Sequence, residues 1–136
     1  MTVFDASVYV DALVALGPPG DNARAALRDR TVLEVPSIFT AEAISSLRAL
    51  VGRDQLSLGR ASEALEQIRT VRAIQYPLEP FVDRVWELRS NLTVYDAWYV
   101  ALAEWLGTDF MTADARLVGA PGPRCPVRHV GDRPRN

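Results

Sequence analysis

The sequence predicts an α/β fold, a three-layer α/β/α sandwich around a mainly parallel central sheet, and three observations carry that expectation. Short β-branched apolar runs alternate with longer amphipathic stretches, the pattern of repeated strand-helix steps. One stretch, residues 93–106, is apolar on nearly every side, as a helix packed against a sheet should be. No internal repeat, low-complexity segment or linker divides the 136 residues, so one domain spanning 1–136 is expected. A hydrophobic content of 49% suffices for one core and leaves no room for a second.

Each element has its own signal. Residues 2–4 read as a strand ending at Asp5, followed by an apolar helix over 7–16 that the Gly-Pro-Pro-Gly turn at 17–20 stops. A polar helix is expected over 21–30 and a β-branched strand over 32–35, after which Pro36 and Ser37 start a helix over 38–51. In that helix Ala43, Ile44, Leu47, Leu50 and Val51 form the apolar stripe. Residues 58–71 read as an amphipathic helix, 73–77 as a short strand and 80–89 as a helix begun by Pro80. The buried helix over 93–106 ends at Gly107. A strand over 109–113, a short helix over 114–118 and a last strand over 127–130 precede a polar tail, 131–136. Strands separated by helices imply a parallel sheet covered on both faces.

Composition removes several function classes. All 15 basic residues are arginine, and 17 acidic residues bring the net charge to -2, so nucleic acid would be held by local arginine contacts rather than by bulk charge. Without lysine there is no Schiff-base chemistry and no phosphate-loop lysine. The single cysteine, Cys125, forms no internal disulfide, which fits a reducing cytoplasm. The N-terminus, with Asp5 and Asp11 in its first apolar stretch, does not read as a secretory signal, and no apolar run is long enough to span a bilayer. A cytoplasmic protein without a membrane partner is therefore expected.

The acids cluster on one edge of the expected sheet. Reactive groups in open α/β sheets gather at the carboxyl ends of strands, where loops converge. Asp5 and Asp114 each follow a strand, whereas Asp109 precedes one and is separated from Asp114 by about 16 Å if the strand is extended. Glu42 lies in the first turns of its helix, roughly 140° from Leu47, so it faces away from that stripe. Asp96 lies in the first turn of the most apolar helix. Each acid also has an ordinary explanation. Asp5 and Asp114 suit helix N-caps, Thr93 with Asp96 suits a capping box, and Glu42 suits a solvated surface.

Read together, VFDAS at 3–7, PSIFTAEAISSLR at 36–48 and NLTVYDAWYVALAEWLGTDFMTADARL at 91–117 resemble a PIN domain, specifically a VapC-type toxin of a bacterial toxin-antitoxin pair. The resemblance covers nearly the whole chain. It implies that Asp5, Glu42, Asp96 and Asp114 bind divalent metal and carry catalysis, with Ser7 and Thr112 at hydroxyl positions nearby. It further implies an RNA substrate, a cognate VapB-type antitoxin and a homodimer.

An all-oxygen ligand set suits Mg²⁺ or Mn²⁺, and His129 and Cys125 are too few for a zinc site, so both are expected to be structural or incidental. One histidine cannot run a two-histidine ribonuclease mechanism, so the metal is expected to activate water for in-line attack, leaving 5′-phosphate and 3′-hydroxyl ends. Arg24, Arg28, Arg48 and Arg53 suit either backbone guidance or a solvated helix face. Leu56, Leu58, Leu65 and Ile68 suit either a groove for the partner's helix or ordinary core packing. The rival readings are a non-catalytic PIN-like module that binds RNA or protein, a phospho-acceptor domain and an aspartate-nucleophile phosphatase. The phospho-acceptor lacks its lysine, and the phosphatase would want an acid where Ser7 stands.

Overall fold

A computed structural model describes residues 1–132; positions 133–136 of the expected polar tail lie outside the described residues. The chain runs β1 (Thr2–Phe4), α1 (Ala6–Val14), α2 (Pro18–Leu27), β2 (Leu33–Pro36), α3 (Phe39–Gly52) and α4 (Leu58–Thr70). It continues with β3 (Ala73–Tyr76), a 3-10 turn (Glu79–Phe81), α5 (Val82–Glu87), α6 (Val94–Leu106), β4 (Asp109–Thr112), α7 (Ala115–Val118) and β5 (Val127–His129).

Every ladder is parallel: β4 lies between β1 and β5, and β2 pairs with β3. β2 packs alongside β1 without a ladder, so the strands run β3-β2-β1-β4-β5 as two hydrogen-bonded pieces rather than one continuous sheet. Side chains bridge the gap, with Phe4, Leu33 and Val35 sharing one buried cluster.

Alternation along the strands builds the outer layers. Val3 and Phe110 point into a cluster with α5 and α6, while Phe4 and Met111, one residue on, pack on the α1 and α2 side. A third cluster joins α1, α3 and α4 through Val10, Val14, Leu47, Leu56 and Ile68. α6 is the central helix expected from its composition: every residue from Ala97 to Ala103 is buried. Thr93 caps its start, and Gly107 ends it with a left-handed φ of 68°.

Several expectations change. α2 starts at Pro18, inside the presumed turn, because the first helical turn has no use for the N–H that proline lacks. The helix expected over 80–89 divides into the 3-10 turn and the short α5. Ile44 is 45% exposed, so it does not belong to the buried stripe of α3. Leu56 and Ile68 are core residues, 6% and 4% exposed, while Leu58 and Leu65 face outward, so the four do not line one groove. On α4 the buried stripe is Ala61, Ala64 and Ile68, and Leu65 is rotated off it by one residue. Among the described residues no helix is long and apolar enough to cross a membrane.

Candidate active site

Two of the four acids stand at strand ends. Asp5 follows β1 directly and is only 8% exposed. Its Oδ1 accepts the Ser7 N–H at 3.4 Å as the N-cap of α1, and its Oδ2 accepts the Thr112 hydroxyl at 2.8 Å. Asp114 caps α7 through the Arg116 N–H at 3.0 Å, and the Arg116 guanidinium grips both its oxygens, at 3.0 and 2.9 Å. Both acids are thus N-caps as well as neighbours in one site.

The other two open helices. Glu42 lies in the first turn of α3, and Asp96 in the first turn of α6, where its backbone N–H donates to Thr93 Oγ1 at 3.2 Å. Asp109 sits at the opposite end of β4, accepting the Thr2 hydroxyl at 2.8 Å and pairing with Arg128 at 3.2 Å. It belongs to the far edge, as its place before the strand implied.

The electrostatics link the four carboxylates pairwise: Glu42 feels Asp5 and Asp96, and Asp5 and Asp96 each feel Asp114. Burial pushes the Glu42 carboxyl up to about 7, and the charges of Asp5 and Asp96 push the same way. The Tyr99 hydroxyl opposes that rise, yet no hydrogen bond closes between them: Glu42 Oε1 and the Tyr99 hydroxyl are both buried without a partner. Asp5 and Asp96 are also raised, by burial first, each with further repulsion from Asp114. Only Asp114 is lowered, chiefly by its hydrogen bond from Arg116. Glu42 therefore faces inward toward Tyr99 and the other acids, which the angle from Leu47 alone did not reveal.

This predicts a specific pH dependence. Between pH 4.5 and about 7 the folded chain keeps a proton on Glu42 that the unfolded chain gives up, so this group's contribution to stability falls as pH rises through that window. In metal-free buffer, Glu42→Gln should gain on the parent between about pH 5 and pH 8 by roughly 3 °C in Tm, the equivalent of about 1 kcal/mol after discounting for solvent screening. Parallel melting curves in chelator check this; a constant gap between variant and parent contradicts it.

The turn carrying Asp114 is held from several sides. Ser7 Oγ accepts the Ala113 N–H at 3.2 Å, Thr112 Oγ1 accepts the Asp114 N–H at 3.0 Å, and His129 Nε2 bonds the Ala113 carbonyl at 3.2 Å. His129 Nδ1 accepts the Gly131 N–H at 3.0 Å, which leaves the proton on Nε2 and makes it the donor to Ala113. The single histidine is therefore a brace for the site's loop, a role that its isolation in sequence concealed. Cys125 lies away from these acids, half-buried, with burial pushing its thiol up to about 11, so it is not a reactive thiolate.

A hard divalent cation fits this environment. Four mutually repelling carboxylates with an unpartnered buried oxygen, Glu42 Oε1, have the charge and donor chemistry for one, and there is no nitrogen or sulfur in the set. Among the described residues, however, no three acid, histidine or cysteine side chains stand in ready-made ligand positions. Asp114 is turned toward Arg116, and both oxygens of Asp5 are engaged by Ser7 and Thr112. Arg116 and Tyr99 were not singled out from sequence. Arg116 stands two residues after Asp114, a spacing that could have flagged it, but nothing in the sequence marks one tyrosine of an apolar helix as the neighbour of Glu42.

Comparison with known proteins identifies the family. The family model for the PIN domain matches residues 2–122. The chain is 39% identical over 130 residues to Ribonuclease VapC9 of Mycobacterium tuberculosis, covering 96% of this chain and 98% of that protein. It is 36% identical over 129 residues to Ribonuclease VapC1 of the same species, covering 94% and 96%. Ribonuclease VapC12, also of that species, is 35% identical over 130 residues, covering 96% and 99%. A parallel sheet with acids at its carboxyl edge, a PIN match over most of its length and full-length similarity to VapC ribonucleases together establish that this chain belongs to the PIN-domain family, among its VapC ribonucleases.

Proposed function

We propose that this ribonuclease hydrolyses RNA phosphodiester bonds at Asp5, Glu42, Asp96 and Asp114, which together hold Mg²⁺ or, in its place, Mn²⁺, and that it is the toxin of a bacterial toxin-antitoxin pair acting in the cytoplasm. The observation that carries the site assignment is the orphaned Glu42 oxygen, buried among acids that raise one another's pKa values. When bound, the cation supplies an activated water and neutralises charge on the phosphoryl oxygens. The chain's own residues supply positioning. Thr112 fixes the orientation of Asp5, while Ser7 and His129 hold the Ala113 peptide that sets the place of Asp114. The Arg116 guanidinium that pairs with Asp114 is exposed and would be free to meet a phosphate oxygen once Asp114 held the cation.

Because the 2′-hydroxyl takes no part, the products carry 5′-phosphate and 3′-hydroxyl ends. Incubating single-stranded RNA with the purified protein and Mg²⁺, then ligating adapters that require a 5′-phosphate, tests this. Cyclic phosphate ends would overturn the mechanism, and intact RNA would favour a non-catalytic RNA- or protein-binding module.

The partner is a small VapB-type antitoxin that places an arginine among the four acids. The pair Arg116 makes with Asp114 is the support: the acid site already accepts a bidentate guanidinium, which blocks the position a cation would take. Co-expression with the adjacent open reading frame should yield a complex whose RNA cleavage is at least about tenfold slower than that of the toxin alone, since about nine sites in ten or more would be occupied by the partner. Equal activity with and without the partner would end the toxin assignment. The active unit is a homodimer of the one-domain chain, to be checked by sedimentation.

A further inference from the structure

A cleft of about 450 Å³ opens directly beside the acid site, between α1, α3 and the turn after β4. Ser7 and Asp114 form its inner end, and Val10, Ala49 and Leu50 give it an apolar lining. Ser46 and the half-buried carboxylate of Asp11 face this lining; the Asp11 side chain forms no hydrogen bond or ion pair among the described residues, burial raises its pKa, and the nearby His129 works against that rise. Asp11 follows Ser7 by one helical turn, so both lie on the same face of α1.

The α3 wall acts as a ruler. Glu42 and Ser46 lie about 40° apart on the helix, and Arg53, which caps its C-terminus, continues that face about 16 Å beyond Glu42, a span of roughly two unstacked nucleotides. Arg53 lines the cleft and, among the described residues, forms no ion pair. A strand with its scissile phosphate at the acids would therefore lay the next base against the apolar lining and bring a following phosphate to Arg53.

We propose that this cleft is a base-reading subsite, in which Asp11 selects a guanine next to the scissile phosphate and Arg53 binds the phosphate beyond it. The inference rests on the RNA-hydrolase reading above. An ionised carboxylate only accepts hydrogen bonds, so it discriminates bases by the donors they offer. Guanine presents a ring N–H and an amino group side by side and pairs with both carboxylate oxygens, whereas adenine, cytosine and uracil each offer one donor group on that edge. Ser46, which donates and accepts, tolerates any base and serves to seat it. The second acid also explains why the cleft is not a pure phosphate channel: Asp11 repels phosphate, and only the far end is basic.

Cleavage-site sequencing on RNA of randomised sequence should show guanine enriched at one position flanking the cut. Asp11→Asn should remove that enrichment and lower kcat/KM on guanine-containing substrate by about 10- to 100-fold, with Tm unchanged. Arg53→Ala should raise KM on all sequences alike and reduce the slope of log affinity against log salt by about 1. A second measurement stands apart from catalysis: in the Asp96→Asn background, fluorescence anisotropy should show an RNA oligonucleotide with one guanine binding about tenfold tighter than an all-uracil one, and Asp11→Asn should erase the difference. Wild-type protein that cuts no RNA while this preference persists would remove the nuclease reading and keep the subsite. An Asp11→Asn profile identical to wild type, or Asp11→Asn that weakens only capture of the co-expressed antitoxin, would assign the cleft elsewhere and overturn the proposal.

Discussion

Asp5→Asn, Asp96→Asn and Asp114→Asn should each lower kcat for RNA cleavage by about a thousandfold or more, a loss of about 4 kcal/mol in transition-state stabilisation. Asp109→Asn should leave it within about twofold, because a change outside the site removes no transition-state interaction. The contrast follows from the two ends of β4. Asp114 shares a site with three other acids, whereas Asp109 is tied to Thr2 and Arg128 at the opposite edge. Asp109→Asn should instead cost about 1 kcal/mol of stability through its weakened ion pair. In chelator, Asp96→Asn should melt no lower than the parent, since it removes a repelling charge; at position 5 that gain is offset, because Asn keeps an acceptor oxygen for the Thr112 hydroxyl but turns its amide N–H₂ toward the Ser7 N–H that Asp5 Oδ1 accepts. Single-turnover rates with melting curves for all four variants decide the matter. A clear drop in Tm for both Asp5→Asn and Asp96→Asn with activity intact would reduce these acids to capping residues.

The second large effect is metal removal. EDTA should abolish cleavage, and added Mg²⁺ or Mn²⁺ should restore it, because a bound cation would both lower the pKa of water at these carboxylates and neutralise charge on the phosphate. Binding should also show without substrate. A cation that binds only the folded chain stabilises it by about 2.7 kcal/mol at a concentration 100-fold above Kd, and it reverses the penalty from crowded carboxylates. Tm should therefore rise with Mg²⁺ in the parent and rise less in Glu42→Gln and Asp96→Asn. Since Asp114 must first leave Arg116, Arg116→Ala should bind the metal more tightly than the parent. Full activity in EDTA, or a Tm indifferent to the metal, would exclude the cation from both roles.

Much of this molecule was legible from local pattern. The β-branched runs, the Thr93 cap, the terminating Gly107 and the all-round apolarity of α6 each report a short-range cause, and the structure places those elements within a few residues of expectation. The assignment of Asp5 and Asp114 to one edge, with Asp109 at the other, follows from strand direction alone. Where pattern misled, a competing contact was responsible. Leu56 and Ile68 are consumed by packing between α1, α3 and α4, so the exposed face of α4 keeps only scattered leucines. The prolines after Gly17 start a helix because the first helical turn has no use for the N–H that proline lacks.

The sequence by itself therefore determined the element order and the parallel α/β architecture, and it nominated four acids for one edge of the sheet, since these depend on periodicity, capping and the direction of strands. Only the tertiary structure decided how those acids behave. The inward turn of Glu42 toward Tyr99, the grip of Arg116 on Asp114, the brace that His129 gives the Ala113 carbonyl and the cleft between Asp11 and Arg53 join residues from different elements. Desolvation and charge repulsion depend on distance in space and on excluded water, and neither is encoded in the spacing of residues along the chain.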